Sequence, residues 1–473
     1  MRRIICCFLF LVSLSLVLPI SSCGKQTAKN SCSLDLSYDE TNGIISGKAA
    51  YKFVNTSNGV LSEVLFNLYP NVFDGKNDVF KSDKKTDIFY AGETFGEIKI
   101  SSVTSDGLPL AFSFSEDELL LKVATDKIYP EDETQIEIEF STTLPKANNR
   151  LGITENVVNL ADFYPTLCKL AENGFVCPAY CGIGDPFYAD CADFSVSINL
   201  PSVYTAACSG AAAKTVIDGE RTDYSFEIVN GRYFALALSD KFNVSAVKSG
   251  DTDIFYYSAE KDEGRLDEVK KCFEFYVGAF GAYPYKTFSV VETGLDALGT
   301  EFSGMCFINE KAKAEEKTRA ALHETAHEWW GITVGTDQIN EAFIDEGLAE
   351  YSVYLYYLLN DKTEQAEHMI NTAKAAYKSF FEINSIFSGE SDTAMNRPLT
   401  GFKSETEYVA IAYDKSLIMF TELEKTVGAK KNVAKMKTLY SANEFGICSA
   451  NELTKAFGRK EYFESFITGK VIV

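Results

Sequence analysis

Two of the chain's three histidines stand four residues apart, in His323-Glu324-Thr325-Ala326-His327. Four residues is just over one helical turn, so on a helix both imidazoles project from one face and can share a cation. Two protein ligands do not complete such a site. A histidine six residues after His327 is ruled out as the third, because that position is Thr333. Glu346, in Asp345-Glu346-Gly347-Leu348-Ala349-Glu350-Tyr351, follows His327 by 19 residues, enough for a loop and a returning helix to bring its carboxylate to the same point. Two histidines and a carboxylate suit one Zn2+ per chain in tetrahedral geometry and leave the fourth position open, as a catalytic site requires. Zinc in that setting lowers the pKa of water toward neutrality, and Glu324, beside the first ligand, is placed to take the proton as general base. The remaining histidine, His368 in Glu367-His368-Met369, has no comparable context and reads as a surface or packing residue.

The elements that must position these groups can be read around them. Ala320, Ala321, Leu322, Ala326, Trp329 and Trp330 ahead of Gly331 predict a helix over 315–330. A second helix is predicted over about 340–359, with Phe343, Leu348, Tyr351 and Tyr354 on its buried face. Upstream, from 31 to 247, the chain reads as strands. Segments 47–54, 134–140, 194–200 and 233–238 are short, rich in β-branched and aromatic residues, and separated by Asn, Asp, Gly and Pro turns. The expected fold is therefore multidomain, β plus α: an all-β sandwich or saddle over 31–247, a boundary near 250, and a mainly helical domain over 252–473 that carries the metal.

Length and composition agree. A chain of 473 residues with 46% hydrophobic and 24% charged residues supports two or three cores. Its net charge of −22 repels phosphates, so no nucleic-acid partner is expected, and the acidic surface is read as a solubility device. Residues 1–23 are set apart as a targeting segment: Arg2 and Arg3, an apolar run over 4–18, then Ile20-Ser21-Ser22-Cys23, which resembles a bacterial lipobox. Cleavage there would leave Cys23 as a lipid-bearing N-terminus and hold the protein to a membrane on the extracytoplasmic side. A plain secretory signal or an uncleaved anchor are the competing readings, the latter weakened by an apolar run too short to span a bilayer. Nine cysteines remain beyond this segment, an odd number that cannot all pair. Cys168, Cys177, Cys181 and Cys191 are close in sequence and leave open a local disulfide, a second metal site, or free thiols.

The stretch 323–351 resembles the gluzincin aminopeptidases, the family of aminopeptidase N and leukotriene hydrolase, whose signature pairs the two-histidine motif with a Glu 19 residues later. Glu328-Trp329-Trp330-Gly331 and Gly347-Leu348-Ala349-Glu350-Tyr351 continue the pattern. Phe280-Gly281-Ala282-Tyr283-Pro284-Tyr285 is similar to the segment entering that family's catalytic domain. Asn67-Leu68-Tyr69-Pro70-Asn71 and Asp185-Pro186-Phe187-Tyr188-Ala189-Asp190 are similar to parts of its β domain. The resemblance implies a β saddle followed by a thermolysin-like catalytic domain, and a zinc aminopeptidase acting on peptides with a free N-terminus. It also implies substrate-binding roles for Gly299 and Glu301 in Leu298-Gly299-Thr300-Glu301-Phe302, with Glu301 holding the N-terminal ammonium. Tyr413, in Tyr413-Asp414-Lys415-Ser416, is implied as the donor to the oxyanion, with Tyr408 a nearby competitor and Ser416 standing where the family has Gly. Family members often continue into a further helical domain; this chain ends at Val473, so a more open site is expected. Two alternatives stay in play, a thermolysin-type endopeptidase and a non-catalytic surface-binding lipoprotein. Glu301 speaks against the first, and the complete set His323, Glu324, His327, Glu346 and Tyr413 against the second.

Overall fold

The computed structural model describes residues 30–469 apart from 78, 81, 261 and 389–391; the expected leader and its Cys23 lie outside the described residues. The first strand, Asn30–Asp39, alternates strictly: Cys32, Leu34, Leu36 and Tyr38 are buried while Ser33, Asp35 and Ser37 face solvent. That period of two turns one face of the strand to a core. It pairs antiparallel with Ile44–Val54 in the register Leu34↔Ala49 and parallel with Ala192–Pro201 in the register Leu34↔Val196. These strands lie inside an eight-stranded sheet. Two four-stranded sheets contribute Val64, Phe66, Leu121, Leu160 and the run Ala235 to Leu238 to the same hydrophobic core. This is the β-rich layer that the turn-punctuated sequence implied.

A five-stranded sheet follows, in the order Asn243–Ser249, Thr252–Ser258, Thr287–Thr293, Met305–Asn309, Gly299–Phe302. Thr287–Thr293 is buried along its whole length between parallel neighbours, as a strand covered on both faces must be. The hairpin formed by the first two of these strands, paired Ser249↔Thr252, spans the expected boundary at 250. The change of sheet comes just before Asn243, two strands ahead of the first long helix.

Four helices matter for the site: α1 (Glu263–Ala279), α2 (Ala314–His327), α3 (Phe343–Leu359) and α4 (Lys415–Val427). They pack around Phe273, Trp329, Trp330, Tyr351 and Phe420, all almost fully buried. Helix α2 begins with Glu315 and Glu316, favourable beside the positive end of its dipole, and Glu316 closes a capping box on the Lys313 N–H at 3.0 Å. It stops three residues short of the expected Trp330. The chain tightens there into a three-residue repeat, with the Trp329 N–H donating to Ala326 O at 3.0 Å, and Gly331 at φ 112° then takes a conformation few other residues tolerate.

Candidate metal centre

His323 and His327 leave α2 on one face, and Glu346 comes back from the first turn of α3. Glu346 Oε2 lies 3.2 Å from His323 Nε2 and 3.3 Å from His327 Nε2, and the two Nε2 atoms are 2.9 Å apart. All three residues are buried. The outward nitrogens explain why this is a ligand set and not a hydrogen-bond network. His327 Nδ1 donates to the carbonyl of Trp330 at 2.8 Å, and His323 Nδ1 faces Glu350 Oε1 at 3.0 Å. With the ring protons on those outer nitrogens, both Nε2 lone pairs and a carboxylate oxygen converge with no proton between them. Only a cation satisfies such an arrangement, and the donor types and number fit Zn2+.

The surrounding sequence holds these rings. Trp330 donates through its indole to Ser352 Oγ on α3 at 3.0 Å, and Trp329 to the Gly281 carbonyl at 3.1 Å. The turn after α2 is thus pinned to two other elements, and the Trp330 carbonyl points back to His327. On the other ring, Glu350 is one helical turn beyond Glu346 and is gripped by Arg319 Nη2 through both oxygens, at 2.7 and 2.6 Å. Arg319 is one turn before His323. Residues 319, 323 and 327 on α2 therefore oppose residues 346 and 350 on α3, each at a stride of four. Arg319 and Glu350 were not among the residues singled out from sequence, although that stride was the signal that could have found them.

Charge balance at the centre favours a cation. Burial disfavours a charged His323, yet Glu346 and Glu350 outweigh it and push the imidazole up to about 9. Burial also opposes ionisation of Glu346, but the two imidazoles hold its carboxyl well below the ordinary range. Glu350, with burial again opposing, is brought down to about 2 by Arg319 and His323. Glu324 behaves differently: burial pushes its carboxyl up to about 8, with the two histidines pulling the other way. A dication among these groups draws the carboxyls back toward the ionised form.

The other expected residues fall around the same point. Glu301, on the edge strand Gly299–Phe302, offers a carboxylate oxygen within 4.8 Å of donor atoms of both Glu324 and His327. Gln338 Nε2 donates to its Oε1 at 2.7 Å and to Asp345 Oδ2 at 3.0 Å, holding two buried carboxyls apart. Burial raises the Glu301 carboxyl to about 7, His327 opposing. Gly299 lies directly against Glu324, where an added Cβ would stand 2.7 Å from Cδ and Cγ. Glu324 Oε2 has no hydrogen-bond partner in the protein.

Both tyrosines converge on Glu346. The Tyr408 hydroxyl donates to Glu346 Oε1 at 3.2 Å, and the Tyr413 ring lies nearly parallel to His323, centroids 5.6 Å apart, its hydroxyl pKa pushed up by burial and by the Glu346 charge. Tyr408 is almost fully buried, whereas Tyr413 keeps part of its ring exposed. A π-helical stretch, Val409–Asp414, sets their relative positions; such wide turns recur at functional sites. Ser416 contacts the position where a Cβ on Gly347 would sit, so the absence of a side chain at Gly347 is what lets α4 press against α3. His368 takes no part in the metal-ligating groups found among the described residues.

Fold and centre together define a metallopeptidase. Residues 265–468 match the peptidase family M1 domain, and the chain is a peptidase with zinc as the cofactor of the centre described above. It is 22% identical over 268 residues to human endoplasmic reticulum aminopeptidase 2; this covers 50% of the chain but only 27% of that longer protein. Among solved structures it is similar to the M1 zinc metallopeptidase of Deinococcus radiodurans, at 16% identity, with a TM-score of 0.67 over 95% of this chain and 96% of that one. A mutant of the Deinococcus enzyme bound to a Tyr-Ser-Ala substrate matches at 15% identity with a TM-score of 0.63, over 94% and 95% of the two chains. These likenesses cover both the β-rich and the helical parts.

Proposed function

We propose that the chain removes single residues from the free N-termini of peptides. The observation that carries this reading is Glu301, a buried carboxylate a few ångströms from Glu324 and the metal ligands that, among the described residues, is hydrogen-bonded by the Gln338 amide and by no cationic side chain. An ammonium group is its natural complement, and charge-assisted bonds of that kind are roughly twice as strong as neutral ones. An ammonium held there limits how far a peptide can enter and brings its first peptide bond over the centre, converting binding into positioning. Support also comes from the relatives: one is named an aminopeptidase, and a structural neighbour holds a short peptide.

Bound zinc supplies Lewis acidity toward the scissile carbonyl and makes water acidic enough to react at neutral pH. Glu324 accepts that proton on its unpartnered oxygen and, because burial raises its pKa, can pass the proton to the leaving amine. Tyr413, with its exposed edge and neutral hydroxyl, donates to the developing oxyanion, while Tyr408 steadies Glu346.

Glu301→Ala should lower kcat/KM on free-amine fluorogenic amides by two or more orders of magnitude, or roughly 3 kcal/mol. Acetylated substrates, lacking the charge, should be poor for both proteins. An unchanged ratio of free to acetylated turnover would refute the amine anchor and leave a zinc peptidase of unassigned end-specificity. We further place the protein on the outer side of a membrane through a lipid at Cys23, a reading that rests on residues 1–23 alone. Radiolabelled palmitate should mark the protein in a bacterial host and Cys23→Ala should release it; membrane retention without label would overturn this.

A further inference from the structure

We infer that Cys168 and Cys177 form a thiol pair that closes into a disulfide at the base of a small hairpin, clasping the loop that reaches the metal centre. The hairpin strands, Lys169–Ala171 and Gly174–Val176, pair Lys169↔Val176, Leu170↔Phe175 and Ala171↔Gly174. Continued one step beyond its last pair, that register sets Cys168 opposite Cys177. Opposed residues in an antiparallel ladder have Cα atoms about 4.5–5.5 Å apart, inside the roughly 4.4–6.8 Å that a disulfide spans. Cys177 adds to the rise in the Cys168 thiol pKa that burial causes. Both cysteines are reduced, as are Cys181 and Cys191. No cysteine joins a metal-ligating group among the described residues.

The two sulfurs differ in access. Cys168 is buried, and burial holds its thiol pKa well above the ordinary value, whereas Cys177 is partly exposed. Cys177 is therefore the sulfur that meets an oxidant, here a small disulfide acting by thiol–disulfide exchange. Its thiolate attacks one sulfur of the oxidant, whose S–S bond breaks and releases one thiol. Cys168 then loses its proton, attacks the Cys177 sulfur of the mixed disulfide and expels the second thiol. Two protein thiols become one disulfide, and one oxidant disulfide becomes two thiols that carry the protons.

The position of the bridge gives it a consequence. The chain leaving Cys177 carries Gly184, at φ +67°, packed so closely on Tyr408 that an added Cβ would lie 2.8 Å from the ring Cζ. Next comes Asp185, paired with Arg150 at 2.6 Å and adding negative charge at Glu301 and Tyr413. The far end of the loop is already tied back to the hairpin, through Lys169 Nζ to Asp190 Oδ1 at 2.6 Å. A bridge at Cys177 closes the near end as well.

The test equilibrates the full chain with excess oxidised glutathione, quenches with acid, alkylates under denaturing conditions and digests without reduction for mass spectrometry. The expected result is a peptide pair joining Cys168 to Cys177, in the wild type and equally in a Cys181→Ser, Cys191→Ser double variant. Oxidised wild type should melt several degrees above its reduced form, and Cys177→Ser should lose both the cross-link and that difference. Complete alkylation of Cys168 and Cys177, glutathione adducts that never resolve, a link from Cys177 to Cys181 or Cys191, or equal melting of the two forms would each overturn the inference.

Discussion

Gly299→Ala is the perturbation that most directly tests how Glu324, the proposed general base, is positioned. An alanine Cβ at this position would lie 2.7 Å from Glu324 Cδ and Cγ and closer still to Oε1. Carbon atoms pack favourably at about 3.5–4.0 Å, so the carboxylate must retreat by about 1 Å. The backbone of Gly299 is not in the left-handed region, so alanine itself brings no strain to the strand. None of His323, His327 and Glu346 borders the new methyl among its three nearest atoms, so zinc content should hold at about one per chain. A misplacement of about 1 Å near the reacting atoms can cost about 100-fold, or about 2.7 kcal/mol. We therefore expect kcat/KM on an aminoacyl fluorogenic amide to fall by about 100-fold, chiefly through kcat. Glu324→Gln, which fills the space but cannot take a proton, sets the floor at about 100- to 10,000-fold below wild type, again with metal retained. Activity of Gly299→Ala within about threefold of wild type would refute the geometric argument outright. Loss of zinc in that variant would refute it differently, by showing that the strand supports the ligands and not the base.

Glu350→Gln removes the charge facing His323 Nδ1 and leaves Arg319 without its carboxylate. Zinc affinity, measured by chelator competition, should weaken about 10- to 100-fold while fully loaded enzyme keeps most of its kcat; unchanged affinity would show that the pair merely braces the helices. Asp414→Asn should stabilise the fold, and more so at high pH. Burial, reinforced by Glu350, raises Asp414 to about 7 in the folded chain against 3.8 without it, so the folded state binds more protons and the native protein loses stability as pH rises through that interval. The gain on substitution, from urea midpoints, should be about 2.6 kcal/mol larger at pH 8 than at pH 5, and an equal gain at both would show that Asp414 ionises normally.

What sequence made legible follows from how locally each feature is encoded. The strict alternation of Asn30–Asp39 and the stride from His323 to His327 are properties of single elements, so period alone reveals them. The separation of 19 residues that brings Glu346 back is nearly as local, one turn and one returning helix. Glu301 and Tyr413 were reachable only by resemblance. Nothing in a short edge strand or in an aromatic run announces that a five-stranded sheet and a π-helical stretch will deliver them to one point. The change of sheet is hidden in the sequence for a related reason, since Ala235–Ser239 and Asn243–Ser249 are both short strands and differ in the sheet they join.

Arg319 and Glu350 show where the limit lies. Each lies in a helix, one an arginine with about half its side chain exposed, the other an acid next to Tyr351, and each has the composition of a solvated face. Their meaning appears only when the two helices are set against each other. The stride of α2 then meets the stride of α3, and the ordering runs outward from metal ligand to buried carboxylate to half-exposed cation. That gradient is physically necessary. A neutral imidazole in a dry site needs an acceptor for its outer N–H, a buried acceptor that stays ionised needs a cation, and a cation is affordable only where its other N–H groups reach water. The same logic bears on Glu301, which among the described residues has the Gln338 amide but no Lys or Arg as its partner. On the function proposed above, its complement comes from outside the chain, as the free N-terminus of a peptide.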